Sequence, residues 1–122
     1  MRRSKSPARP RFAYDGLNRV IHERARLSLI TSLVTHTAGL LFSDLRELCA
    51  LTDGNLNRHL AVLEEAKLIS VVKTSSGTRC RITALGRKRY VEYLAVLDQV
   101  ISDAADALNT SEKSADGLRL IV

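Results

Sequence analysis

The residues best equipped for chemistry in this sequence are hydrogen-bond donors and cations, not nucleophiles. Thr52, Asn55, Asn57 and Arg58 stand together in LTDGNLNRHL (51–60). Asn carries a donor and an acceptor side by side, the pair that grips the edge of an adenine, and Arg carries a fork that grips a guanine. Further on, Lys73, Arg79, Arg81, Arg87, Lys88 and Arg89 make a basic stretch with no acid between 73 and 89. Arg79 and Arg81 alternate with Cys80 and Ile82, so on a strand the two arginines share one face. With Lys73 across a hairpin they predict a small basic ribbon suited to phosphates or a narrow minor groove.

Other chemistries find no residues. There is no nucleophile elbow, no HExxH and no phosphate-cradling Gly loop, so no catalytic residue is nominated and no enzyme is expected. A metal site needs paired ligands. The histidines, His22, His36 and His59, are scattered, and no CxC or CxxC occurs, so no metal or cofactor is expected. Cys80, between two arginines, could carry a lowered thiol pKa and sense redox state. The alternation instead buries it, and Cys49 lies in the apolar ELCAL, so both read as small core residues. His59 adjoins Leu60 and is expected half-buried, hydrogen-bonded to a backbone group rather than to DNA.

The elements that must position these residues can be read from periodicity. Leu17, Val20, Ile21, Leu27, Ile30, Leu33 and Val34 recur at three- and four-residue steps, which predicts a helix over 15–35 with Asp15 as its cap and Gly39 as its stop. Leu40-Leu41-Phe42 reads as a short strand. Ser43 is expected to cap a second helix holding Leu45, Leu48 and Leu51. Thr52 or Asp53 opens a third, with Leu56, Leu60 and Leu63 buried and Asn55, Asn57, Arg58 and Ala61 outside. It ends near Ala66-Lys67, where a left-handed residue is expected. Two strand-like runs, 69–73 and 79–82, flank a loop at 74–78. Thr83 then caps a last helix. On it Tyr90, Leu94, Leu97, Ile101, Ala104 and Leu108 form a seam at alternating four- and three-residue steps. Val91, Val96 and Val100 broaden that seam beyond what one partner helix covers, which predicts a homodimer contact that also takes in Leu17.

The expected fold class is therefore mainly α with a small β-hairpin: a winged helix-turn-helix, a three-helix core plus wing, with a long C-terminal helix. One DNA-binding domain is read over 12–108, between a disordered basic tail at 1–11 and a flexible tail at 109–122. The charge distribution agrees. The 122 residues carry +6 overall, of which residues 1–12 hold five cations and no acid. Such concentrated basicity points to a polyanion. Aromatics make up only 4%, with no Trp, which argues against base-stacking platforms for single strands. No apolar run approaches a membrane span and no h-region follows the basic N-terminus, so a cytoplasmic protein is expected.

The segments LTDGNLNRHLAVLEEAKLI (51–69) and RITALGRKRY (81–90) resemble winged-helix transcriptional regulators of the MarR/ArsR type, in the group whose recognition helix carries a TDGNLxRHL core. The resemblance covers roughly residues 12–100. It implies a homodimer on double-stranded DNA, the third helix in the major groove, the wing on the flanking backbone and the terminal helices at the dimer contact. The sequence departs from the pattern in three places: Asn57 replaces the usual Ser, Lys67 the usual Gly, and the hairpin loop is short. The ArsR-type metal ligands are absent. A winged helix serving only as a protein-interaction module is the alternative; the basic groove face favours DNA, since such a module would expose a hydrophobic third helix. No residue identifies an effector, the operator, or activation against repression.

Overall fold

In the computed structural model residues 10–115 are described, with side chains through residue 110. The basic tail lies outside the described residues except for Pro10 and Arg11, and so does the apolar end 118–122. Helix α1 spans Arg24–Thr35, strand β1 Leu40–Leu41, helix α2 Phe42–Leu48 and helix α3 Asp53–Glu65. Strands β2 (Ile69–Thr74) and β3 (Gly77–Ile82) form the hairpin, and helix α4 runs over Ala84–Ala115. The sheet is antiparallel in the order β1-β3-β2. This is the winged helix expected from the sequence.

The first helix is shorter than its apolar spacing suggested. Leu17, Val20 and Ile21 do reach the core, but from turns rather than a helix. Tyr14 has φ 51, and the Leu17 N–H closes a turn on the Tyr14 carbonyl at 3.0 Å. The Asn18 side chain then accepts from the backbone N–H groups of Val20 (2.9 Å) and Ile21 (3.1 Å). Short polar side chains compete in this way with helical hydrogen bonds. The cap is Glu23, not Asp15: its carboxylate accepts from the Arg26 N–H at 2.9 Å. The helix stops at Thr35, and Gly39, at φ +94, makes the turn into β1 beneath the side chains of Arg79 and Arg81.

At α2 the cap is also displaced. Ser43 lies inside the helix, and Asp44 instead accepts from the Leu41 N–H at 3.2 Å. Ala50, at φ 53, turns the chain towards α3. Thr52 caps that helix by accepting from the Asn55 N–H at 3.2 Å. Its far end is a Schellman turn: Lys67 N–H to the Glu64 carbonyl (2.9 Å) and Leu68 N–H to the Leu63 carbonyl (3.0 Å). Lys67 itself sits at φ 65, the left-handed conformation expected there. The hairpin loop is tighter than read: the strands extend to Thr74 and from Gly77.

The core joins Ile21, α1 residues Leu29, Ile30 and Leu33, α2 residue Leu45, α3 residues Leu56, Leu60 and Leu63, Cys80 of the wing and Tyr93 of α4. α4 is tied on by two tyrosines as well as by burial. The Tyr90 hydroxyl lies 2.8 Å from Thr31 Oγ1, and that of Tyr93 lies 2.7 Å from His22 Nδ1. Tyr14 donates to Asp103 at 2.6 Å, strapping the N-terminal segment across the helix. α4 continues to Ala115, past the boundary read at 108. Among the described residues no helix is long and apolar enough to cross a membrane.

Candidate nucleic-acid interface

Helix α3 separates its two faces cleanly. Leu56, Leu60 and Leu63 are at most 5% exposed, which fixes the helix against the core and turns Asn55, Asn57 and Arg58 outward. Arg58 Nη2 donates to Asn55 Oδ1 at 3.2 Å, so these two are pre-arranged one turn apart, while Asn57 is exposed beside them. Thr52 is exposed, but its hydroxyl oxygen is engaged as the helix cap. α3 therefore offers one amide, one amide–guanidinium pair and a helix N-terminus on a convex polar surface. Such a surface can present donors and acceptors to the edges of base pairs.

Sequence reasoning missed Arg46. It lies on α2, with Nη1 2.9 Å from Asp53 Oδ1 in the first turn of α3. The pair offsets the charge of the one carboxylate in that turn. The signal was present as a basic residue seven positions before the acid that opens α3.

The wing differs from the expected basic ribbon. The register pairs Lys73 with Thr78, Val72 with Arg79 and Ser70 with Arg81. Directly paired residues share a face, so Lys73 stands on the Cys80 side and the two arginines on the other. The reason is the two-residue loop, which sets the register one step from what a five-residue loop allowed. Arg79 is moreover half-buried, its Nη1 donating to the carbonyls of Gly39 (3.3 Å) and Ala38 (3.4 Å). It braces β3 against the turn before β1. Arg81 and Lys73 are the exposed cations of the wing. At the start of α4 Arg87 and Lys88 are exposed, and Arg89 pairs with Glu92 at 3.0 Å.

The expected dimer seam divides. Leu17 and Leu97 are half-buried against the core of their own chain, and Tyr90 is buried in it. Leu94, Ile101, Ala104 and Leu108 are exposed, and Val91 extends the same apolar strip. The inner residues belong to the fold; the outer ones remain uncovered.

His59 is buried, as expected, but its partners are side chains. Its Nδ1 lies 3.1 Å from Arg26 Nη1 and 3.7 Å from Glu23 Oε1. Burial pushes its pKa down, Glu23 pulls it up, and Arg58 and Arg26 push it down again. Cys80 is buried too, and burial raises its thiol to about 11. Among the described residues no group of three His, Cys, Asp or Glu side chains is placed to hold a metal ion.

These features define a class of protein, a helix-turn-helix with a wing. The winged helix DNA-binding domain family matches residues 25–101, and the chain belongs to that family. No curated protein sequence matches the chain. Among solved structures it is similar to the transcriptional regulator homologue from Pyrococcus horikoshii OT3, at 27% identity over 70% of this chain and 87% of that one, TM-score 0.66. It shares its fold with a MarR family transcriptional regulator from Silicibacter pomeroyi (18% identity, 76% of this chain and 65% of that one, TM-score 0.56). It shares it also with MepR of S. aureus, solved as a DNA complex (18% identity, 78% of each chain, TM-score 0.58).

Proposed function

We propose that the protein is a cytoplasmic, homodimeric transcriptional regulator that binds specific sequences in double-stranded DNA. The observation that carries this reading is α3. Its leucines are spent on the core while Asn55, Asn57 and Arg58 project together from the opposite face. α3 enters the major groove with Asn57 and Arg58 on base edges, Asn55 holding Arg58 in place and Thr52 beside the backbone at the helix start. Arg81 and Lys73 take phosphates beside the major groove, one from each face of the wing.

The second copy covers the strip Val91, Leu94, Ile101, Ala104 and Leu108 on α4. Exposed aliphatic side chains at 59% for Val91 and 48% for Ile101 make a patch that a monomer leaves in water. A two-fold dimer also spaces two copies of α3 about one DNA turn, roughly 34 Å, apart.

Selection of bound sequences from random duplex DNA tests the reading. A palindromic consensus is expected, and light scattering should give a dimer at micromolar concentration. Leu94→Glu with Ile101→Glu should yield a folded monomer with weakened palindrome binding. Failure to enrich any duplex would leave the protein-interaction module as the better account.

A further inference from the structure

Among the described residues His59 is the one buried histidine, and it sits on α3 directly after Asn57 and Arg58. Leu56, Leu60 and Leu63 seat α3 on the core by burial, which sets no hydrogen-bond geometry of its own. Between α1 and α3 the directional side-chain contact is the one between Arg26 and His59, at 3.1 Å. Arg26 is itself immobilised: its Nε donates to the Val20 carbonyl at 2.6 Å, and its backbone N–H donates to Glu23 at 2.9 Å. Its fork therefore presents Nη1 to His59 from a fixed position.

A guanidinium only donates, so His59 Nδ1 must accept and the neutral ring must carry its proton on Nε2. We propose that neutral His59 is the positioning residue that holds α3 in its DNA-reading pose by accepting from Arg26, and that protonation of His59 releases this pose and weakens DNA binding. The inference rests on the DNA-binding reading above and adds its regulation.

Protonation removes the Nδ1 lone pair and sets two cations 3.1 Å apart. The imidazolium is then drawn to the Glu23 carboxylate, 3.7 Å away, and α3 moves with it. Among the described residues the charges that bear on His59 are Glu23 and Arg26 from the α1 side and Arg58 on its own helix; none comes from α2 or β2. The sign is diagnostic. A histidine that merely touched phosphate would gain from protonation and tighten DNA binding as pH falls. A histidine that must stay neutral does the opposite: because burial already lowers its pKa, the pose is held at and above the ordinary His pKa and is lost only as pH falls through the lowered value.

The test uses a fluorescent duplex taken from the selection above, at fixed salt, between pH 7.5 and 5.5. Wild-type affinity should fall relative to His59→Asn by up to about tenfold per subunit for each pH unit below the lowered pKa of His59 in the free protein, the limit for one proton on each ring. Asn keeps an acceptor near the Nδ1 position but does not titrate, so its affinity should lack this component. The His59 ring followed by NMR in the wild-type protein needs no variant, and its pKa should drop when DNA binds. A pKa that rises or stays fixed on binding, or equal pH profiles for wild type and His59→Asn, would overturn the proposal while leaving DNA binding intact. If no duplex binds even at pH 7.5, the functional reading itself fails and this inference with it.

Discussion

Gly86, in the first turn of α4, lies so close to Leu68 that a Cβ on it would run into the Leu68 carbonyl group. Around this contact the Thr83 N–H donates to the same carbonyl at 3.0 Å, and Thr83 Oγ1 accepts from the Gly86 N–H at 2.9 Å. The end of α3, the start of β2 and the foot of α4 thus meet at a single backbone joint.

Gly86→Ala should therefore destabilise the fold, by about 1–3 kcal/mol, because the obstructing atoms are backbone and cannot rotate away. Urea denaturation of the variant, compared with a control alanine substitution at exposed Gly54, measures it.

Lys67→Gly should act in the other direction. Lys67 holds φ 65 between the two hydrogen bonds of the Schellman turn, where a Cβ is strained and glycine is not. A gain of up to about 1 kcal/mol in urea melts is expected, reduced by the extra freedom glycine has in the unfolded chain. A clear loss would mean that the Lys67 stem contributes more packing than its strain costs.

The two wing arginines should separate in experiment. Arg81 is exposed, and Arg81→Ala should flatten the slope of log K against log salt by about 0.9 if it neutralises one phosphate. Arg79→Ala removes the donor to the Ala38 and Gly39 carbonyls and should instead cost about 0.5–1.5 kcal/mol of stability. Salt titrations and melts on both variants would show the crossover; equal slopes would place Arg79 on DNA as well.

The thiols should differ in reactivity. Cys80 is fully buried with its pKa pushed up to about 11, whereas Cys49 is half-buried. The thiolate is the reactive form, so an alkylating reagent near pH 8 should label Cys49 first and Cys80 only on unfolding. Because the folded pKa of Cys80 is raised, its stabilisation is complete below about 9 and declines as pH rises towards 11. Peptide mapping by mass spectrometry, and melts across that range, check both statements.

Much of this molecule could be read from spacing. Leu56, Leu60 and Leu63 place α3 and its outward residues with little ambiguity, because a three- and four-residue repeat has only one helical face. Alternation at 79–82 correctly buried Cys80. Spacing failed where side chains bond locally. Asn18 and Tyr14 divert residues 14–21 into turns, although Leu17, Val20 and Ile21 carry a helical repeat. It failed again where an arginine serves the fold: nothing in the order of residues shows that Arg79 reaches the Gly39 carbonyl or that Arg26 meets His59. Those contacts depend on chain segments brought together across 40 and 33 positions.

The length of α4 carries a mechanical consequence. Its 32 residues make a rod of about 48 Å at 1.5 Å per residue. Its foot is clamped between Leu68 and the tyrosine hydroxyls, while Leu94, Ile101 and Leu108 are exposed along its length and Tyr14 ties it once more at Asp103. The helix is then a lever with its fulcrum beside α3. For a rod of that length, a tilt of about 5° at the foot carries the far end by about 4 Å. In the proposed dimer the gearing also runs in reverse. Joining two far ends imposes an angle at each foot, and the stiffness of the Gly86 joint sets how much half-site spacing the pair tolerates.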